Sequence, residues 1–360
     1  MAETLYPHGG GIIKNTLASL MLKKSEIGTI KDINMDLVNS RVSPASGLVV
    51  GDENEFYNDS FVFQGSDDKG NLFMTRLGFR SDGTICDSWL WMRLNKKKYT
   101  SPTVIVENVH PEKIEAAKLC YTPLDKGCWN ITYNGPLDNG IKKCVVNLNY
   151  KPTTKMYSFN VHADRKTYAL ALAEMPWSRE YFKTLKSEKA ERIEQGGIIS
   201  GTVEMDGVVH NLTLKAFRDH SWGKRDWTMI RRYIWNLFAM EKPVKIKNGE
   251  FTHACFTTVN YISFNHLVSG WVAGPDLILP IIASSDMHKL GGDGKAPSEF
   301  NVTFRPKGGP DLKAEVIREN ETEHPWMMQN NSFEVNEAYC SLSINGVKGY
   351  GMSEFGYTRK

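Results

Sequence analysis

The sequence predicts an all-β fold in two barrel- or sandwich-like halves, and three observations carry that prediction. Apolar and polar residues alternate with a period of two along most of the 360-residue chain. Turn chemistry, including Asp-Gly and Asn-Gly pairs, interrupts the alternating runs at short intervals. Helical periodicity is scarce.

In chain order, residues 60–64 and 72–79 are β-prone runs around a polar, glycine-bounded connection, which reads as a hairpin. Ser81-Asp82-Gly83 makes the next turn, and residues 88–94 the next strand. Residues 129–133 alternate again and stop at Asn134-Gly135-Pro136. Residues 142–150 and 156–161 continue the meander. Asp206-Gly207, between strands at 201–205 and 208–214, has the residues of a tight hairpin turn. Further strands are expected at 234–240, 251–262, 266–272, 299–304, 312–317, 332–336, 339–344 and 349–357, with Asn345-Gly346 turning the last pair. The best helix is 179–195, with Ser178 as N-cap, Glu180 in the first turn and Gly196-Gly197 as the stop. Residues 113–119 have helical propensity within a strand-rich stretch. The expected division is a domain at 1–228, whose first 50 residues form an unplaced leader, and a domain at 229–360.

Composition narrows the function classes. A net charge of +3 gives no electrostatic reason to expect nucleic acid or an anionic membrane as partner. No run reaches the ~18 apolar residues of a membrane-spanning helix; the best, at 277–283, is broken by Pro280. Met1-Ala2-Glu3-Thr4 lacks the charged and apolar regions of a secretory signal, so a cytoplasmic protein is expected, with chance sequons at Asn58, Asn130, Asn211, Asn301, Asn320 and Asn330. Six widely spread cysteines form no C-x-x-C pair and read as reduced core residues. The nine histidines show no H-x-H or H-E-x-x-H spacing, and no nucleotide-binding or G-x-S-x-G motif is present. Neither metal nor cofactor is expected.

Residues 218–236 stand apart. Asp219, His220, Arg225 and Asp226 lie within eight residues of one another, interleaved with Trp222 and Trp227; Arg231, Arg232, Tyr233 and Trp235 follow. A solvated charged turn does not need the indoles, and an apolar strand does not carry the charges. Aromatic walls with a few convergent polar groups describe the lining of a small-molecule pocket.

The block Asp219-His220-Ser221-Trp222-Gly223-x-Arg225-Asp226-Trp227 resembles the D-H-x-W-G-x-R-D-W signature of the carotenoid 1,2-hydratase-like family, which also embraces kievitone hydratase-type proteins and fungal decalin-forming Diels–Alderases. Weaker matches run from about residue 55 to 358: the 60–63 and 75–78 hairpin, Trp129-x-Ile131-x-Tyr133-x-Gly135-x-Leu137, Glu194-Gln195-Gly196 with Gly201-Thr202-Val203, and Gly349-x-Gly351-x-x-Glu354. The resemblance implies tandem lipocalin-like barrels and a ligand pocket within or between them. It leaves the reaction open, because the family hydrates isoprenoid double bonds, folds polyenes for cycloaddition, or has no assigned activity.

The expected function is therefore a cofactor-free hydratase or cyclase acting on a hydrophobic isoprenoid or polyketide-like molecule. Alkene hydration needs a positioned acid and electron density beside the resulting cation. Asp219, His220, Arg225, Asp226 and Glu354 are the catalytic candidates. Trp129, Trp222, Trp227, Tyr233 and Trp235 are the ligand-binding ones. The rival for the charged residues is a buried ion-pair network, Asp219 with Arg225 or Asp226 with Arg218. The rival for the whole molecule is a non-catalytic carrier of a lipophilic ligand. The oligomeric state is not legible.

Overall fold

The computed structural model describes residues 10–22, 33, 38–42, 56–81, 83–187, 190–285, 287–328 and 331–359. The 23–31 stretch, most of the leader, Asp82 and Asn330 lie outside them. The described chain is mostly strand, in two large antiparallel sheets, with four short helices: α1 (Ile12–Leu22), α2 (Phe159–His162), α3 (Arg165–Glu174) and α4 (Arg179–Ser187).

The first sheet contains β1 (Tyr57–Ser66), β2 (Leu72–Arg80), β3 (Ile85–Leu94), β4 (Lys97–Thr100), β5 (Val104–Val106), β6 (Glu115–Ala116), β7 (Leu119–Pro123), β8 (Trp129–Gly135), β9 (Cys144–Ser158), β10 (Ala190–Met205) and β11 (Val208–Lys224). Its order is β4-β3-β2-β1-β11-β10-β9-β8-β7-β6, with β5 beside β3. The sheet curls until its ends meet: Ser88 Oγ on β3 donates to the Ala116 carbonyl on β6 (3.3 Å). Phe61, Phe63, Leu77, Trp129, Tyr121 and Tyr150 fill the concave side.

The second sheet contains β12 (Ile230–Ile246), β13 (Gly249–Tyr261), β14 (Leu267–Ala273), β15 (Ile278–Ser284), β16 (Glu299–Pro306), β17 (Leu312–Arg318), β18 (His324–Met328), β19 (Phe333–Ile344) and β20 (Val347–Thr358). Because β17 pairs with both β16 and β19, β12–β17, β19 and β20 form a closed ring of strands; β18 lies outside it, against β19. Closure leaves these strands no free edge. Ile234, Phe238, Phe256, Val302, Phe304 and Phe355 form the interior.

The turn chemistry explains the two sharpest hairpins. Asp206 and Gly207 have φ of 46° and 88°, and Asn345 and Gly346 have 49° and 82°. Two successive left-handed residues match the right-handed twist of the flanking strands, and Asx-Gly tolerates that conformation best.

Three expectations are corrected. The 179–195 helix ends at Ser187, and Ala190 opens a strand that pairs with β11 as far as Met205↔Val208. Helical propensity in Glu191–Gln195 is overridden by that ladder, which buries Glu194 completely. The strand expected at 156–161 ends at Ser158, whose hydroxyl caps α2 by accepting from Val161 N (3.2 Å). Residues 113–119 form the two-residue β6 and a turn in which Ala117 and Lys118 have φ of 49° and 74°. The helix α3 escaped the sequence reading although Asp164 caps it, accepting from Lys166 N at 2.9 Å. Its first turn carries Arg and Lys rather than acids, so the usual charge cue is missing.

Contacts divide the chain into two compact units: Ile33–Met156 with Lys189–Arg225, and Met1–Asp32 with Tyr157–Glu188 and Asp226–Lys360. The sequence reading places one cut at 228/229. The units change over at Arg225/Asp226 and also group residues 157–188 with the later sheet. Aromatic packing explains that grouping: Phe159 lies 5.5 Å from Trp235, and Tyr157 lies 6.2 Å from Trp271, centroid to centroid.

Candidate active site

Strand alternation splits the signature between the two faces of β11. Arg218, His220 and Trp222 point to one side, Asp219 and Ser221 to the other. On the concave side, His220 stands opposite Phe61 and stacks on its ring at 3.8 Å. Its Nε2 lies 2.8 Å from Asp59 Oδ1, and its Nδ1 lies 3.2 Å from the Val38 carbonyl. Asp59 Oδ2 in turn accepts from Val42 N (3.0 Å) and Arg41 Nε (3.2 Å). Trp222 packs with Val38, Val42 and Ile193. Arg218 spreads its guanidinium 4.4 Å from the centre of the Trp129 ring and donates to the Val38 carbonyl. Burial pushes the Arg218 guanidinium down to about 10, which still leaves it protonated at neutral pH. His220, Trp222 and Trp129 are thus assembled around Asp59 and Arg218.

The other face is an ion network. Asp219 pairs with Arg192, which also lies 2.9 Å from the buried Glu194. Arg76 and Arg80 each lie 3.6 Å from Asp87. Arg76 Nε donates to Ser60 Oγ (2.9 Å), and Asn58 Nδ2 donates to the Ser221 carbonyl (2.9 Å). Burial lowers Arg80 to about 10. A network was the expected rival to catalysis, with different partners. Asp219 engages Arg192 across the β10–β11 ladder. Arg218 projects from the opposite face of the strand and packs on Trp129. Arg225 holds the strand end, its backbone N donating to the Phe56 carbonyl (2.7 Å).

In the later unit, Asp226 caps the short 3-10 turn Trp227–Met229 by accepting from Thr228 N (2.9 Å) and Thr228 Oγ1 (2.6 Å). Trp227 lies 5.2 Å from Phe333 and 6.4 Å from Tyr233, and Tyr233 stacks on Phe333 at 5.6 Å and 11°. Gly356 sits opposite Tyr233, and a Cβ there would collide with both rings. The Tyr233 hydroxyl donates to Glu354 Oε1.

Glu354 has a second neighbour that the sequence reading missed. Glu337 on β19 is its direct cross-strand partner. Opposed residues share a face, with Cβ atoms roughly 5 Å apart. Glu337 is buried and accepts from Trp326 Nε1 (2.7 Å). Trp235 stands opposite Glu354 on the remaining side. Tyr233, Trp235, Trp326, Glu337 and Glu354 therefore form one patch on the β12–β20–β19 face turned away from the Phe355 core. Glu337 lies outside the residues 218–236 and outside the closing-strand match, and only register joins it to Glu354. Asp59 and Arg192 escaped for the same reason.

The family model described as Domain of unknown function (DUF7064) matches residues 50–358. The chain belongs to that family. No curated protein matches this DUF7064 sequence. A solved structure described as an AttH from Nitrosomonas europaea is 9% identical, covers 89% of this chain and 99% of its own, and superposes with a TM-score of 0.52, so the fold is shared. Kievitone hydratase from Nectria haematococca is 11% identical over 89% of this chain and 96% of its own, with a TM-score of 0.46. CghA with Sch210972 is 10% identical over 84% and 89%, with a TM-score of 0.47. Kievitone hydratase is among the proteins to which the Asp219–Trp227 block points by resemblance.

Proposed function

We propose that this protein is a cofactor-free, acid-initiated catalyst of the hydratase or cyclase type acting on a hydrophobic unsaturated molecule, with Glu354 and Glu337 as its proton-handling pair. The carrying observation is that two carboxylates stand directly opposed on β19 and β20, each fixed by an aromatic donor, Tyr233 for Glu354 and Trp326 for Glu337. Two carboxyl groups on one face can divide the giving and the taking of a proton between them. An alkene needs such an acid, because carbon is protonated only by a well-placed donor.

In the hydration reading, Glu354 delivers its proton to the alkene carbon, and the π electrons form the new C–H bond. The cation left on the neighbouring carbon is stabilised by the faces of Trp227, Tyr233 and Phe333. Water adds to it while Glu337 takes the released proton, so water is consumed and the carboxyl proton count is restored. In the cyclisation reading an internal π bond attacks the cation in place of water, and Glu337 takes a proton from the carbon beside the new cation, which restores an alkene and leaves the mass unchanged. A lipophilic carrier would use the same aromatic frame and return its ligand unchanged, and it would leave the carboxylate pair without a task.

The test incubates the protein with an isoprenoid alkene and with a carbonyl-bearing linear polyene. Hydration adds the mass of one water; cyclisation lowers the polyene absorbance at constant mass. Glu354→Gln and Glu337→Gln are each expected to lower turnover roughly 100-fold or more at unchanged melting temperature. Full activity in both variants overturns the assignment.

A further inference from the structure

Arg218 is fully buried on the concave side of the first sheet. Its Nη2 donates to the Val38 carbonyl, but Nε and Nη1 have no acceptor among the described residues. Neither has Nε1 of Trp129, which is equally buried and whose ring centre lies 4.4 Å from the guanidinium carbon. Three N–H-bearing nitrogens therefore lie together in a low-dielectric interior with nothing to receive them.

The charge is as exceptional as the donors. Arg41, Arg76, Arg80 and Arg192 of the same unit each meet a carboxylate. Among the described residues Arg218 meets none. Asp219 follows it in sequence but projects from the opposite face of β11 and pairs with Arg192. Asp59 shares the concave side, but it stands four residues along β1 from Phe63, the residue opposite Arg218, about 13 Å away. Its oxygens are engaged by His220, Arg41 and Val42. Gln195 on β10 is the direct cross-strand neighbour. Its Nε2 donates to the Thr154 carbonyl (2.9 Å), and its amide is neutral. The face of Trp129 attracts the cation, but a ring quadrupole supplies no counter-charge. Fully buried arginines are otherwise paired, because desolvating a lone charge is too unfavourable.

The neighbours limit the size of a partner. Trp129 lies 6.1 Å from Phe61 and 5.7 Å from Phe63, and Phe63 lies 5.5 Å from Tyr150, centre to centre. Rings packed this closely admit an ion of one or a few atoms and no hydrocarbon chain.

We propose that the first unit binds a small monovalent anion of halide size at Nε and Nη1 of Arg218 and Nε1 of Trp129, as the counter-ion of the buried guanidinium. The site belongs to a different unit from the Glu337–Glu354 pair and is independent of the catalytic reading.

The experiment compares the melting temperature of the full-length protein in sodium chloride, sodium bromide and sodium gluconate at matched ionic strength, which holds screening constant. Chloride and bromide are expected to raise it by about 2–4 °C over the bulky gluconate, with saturation. Gln195→Glu, which sets a carboxylate opposite Arg218, and Arg218→Met, which removes the charge, should each abolish the difference. Crystals of the wild type grown in bromide should show an anomalous peak beside Arg218 and Trp129, a reading that does not require either variant to fold. Equal melting temperatures in halide and gluconate, a halide effect undiminished in both variants, or bromide crystals without that peak overturn the proposal. A peak with no effect on melting marks an adventitious ion only and overturns it as well.

Discussion

The ring of His220 lies flat on Phe61 at 3.8 Å while its Nε2 faces Asp59 Oδ1 at 2.8 Å, with both polar side chains fully buried. Asp59 also receives Val42 N and Arg41 Nε, so one carboxylate satisfies three donors or donor-capable groups from two distant parts of the chain. Removing it leaves all three without that partner in a low-dielectric setting. Asp59→Ala is expected to cost about 3–5 kcal/mol in urea denaturation. His220→Ala removes the contacts of both ring nitrogens, to Asp59 and to the Val38 carbonyl, together with the stack, but leaves the Arg41 and Val42 donors on Asp59, and should cost less, about 2–3 kcal/mol. Equal, small effects would show that the cluster is dispensable to folding.

Asp226 and Glu354 were both expected to act on substrate, and their surroundings predict different outcomes. Asp226→Ala deletes a cap and should lower stability by about 0.5–2 kcal/mol. Its turnover per folded molecule should stay near wild type. Melting curves and initial rates, measured on the same preparations as the Glu354→Gln variant, separate the two roles.

Gly356→Ala introduces a Cβ into the space taken by the rings of Tyr233 and Phe333. Overpacking of this kind costs about 1–3 kcal/mol. The rings must move, and Tyr233 carries the hydroxyl that fixes Glu354. Turnover is therefore expected to fall more than stability does. Gly356→Ala combined with Phe333→Leu, which frees room, should recover part of the activity.

Stability should fall steeply above pH 9. Burial raises the thiols of Cys86, Cys144 and Cys340 from 9.0 to about 12. The unfolded chain releases these protons first, so it binds fewer protons than the native state between those limits. The stabilisation from keeping the thiols neutral is complete below pH 9 and lost progressively as pH rises towards 12. At pH 10 each thiol contributes destabilisation on the order of 1 kcal/mol. Arg80 and Arg218, lowered by burial to about 10, act in the opposite sense, but only above pH 10. Urea titrations at pH 8, 9 and 10 on the wild type and on Cys86→Ala measure the slope, which should be shallower in the variant.

Much of the fold was legible because its signals are local. The β-prone runs at residues 60–64 and 72–79 report strands, here buried on both faces, and Asp206-Gly207 and Asn345-Gly346 report left-handed pairs that few other residues adopt. The failures have one cause. Glu191–Gln195 has helix-forming residues, yet sixteen residues from Ala190 take the strand that β11 offers. At the site, Trp227 and Tyr233 were visible within the charged and aromatic concentration of residues 218–236, and Glu354 through the closing-strand resemblance. Glu337, Asp59, Arg41 and Arg192 were not, because each is an ordinary charged residue until a partner from a distant segment is placed beside it.

The sequence by itself determined the all-β character, the positions of the tight hairpins and the concentration of charged and aromatic side chains in residues 218–236, since period, turn chemistry and composition act over a few residues. Tertiary structure decided which face each signature residue occupies, that Asp219 pairs with Arg192 while Arg218 turns to Trp129, and that Glu337 stands opposite Glu354. Those outcomes depend on strand register, and a shift of one residue would exchange every inward and outward side chain. Register is set by the summed burial and pairing of whole strands, a property that no short window of sequence contains.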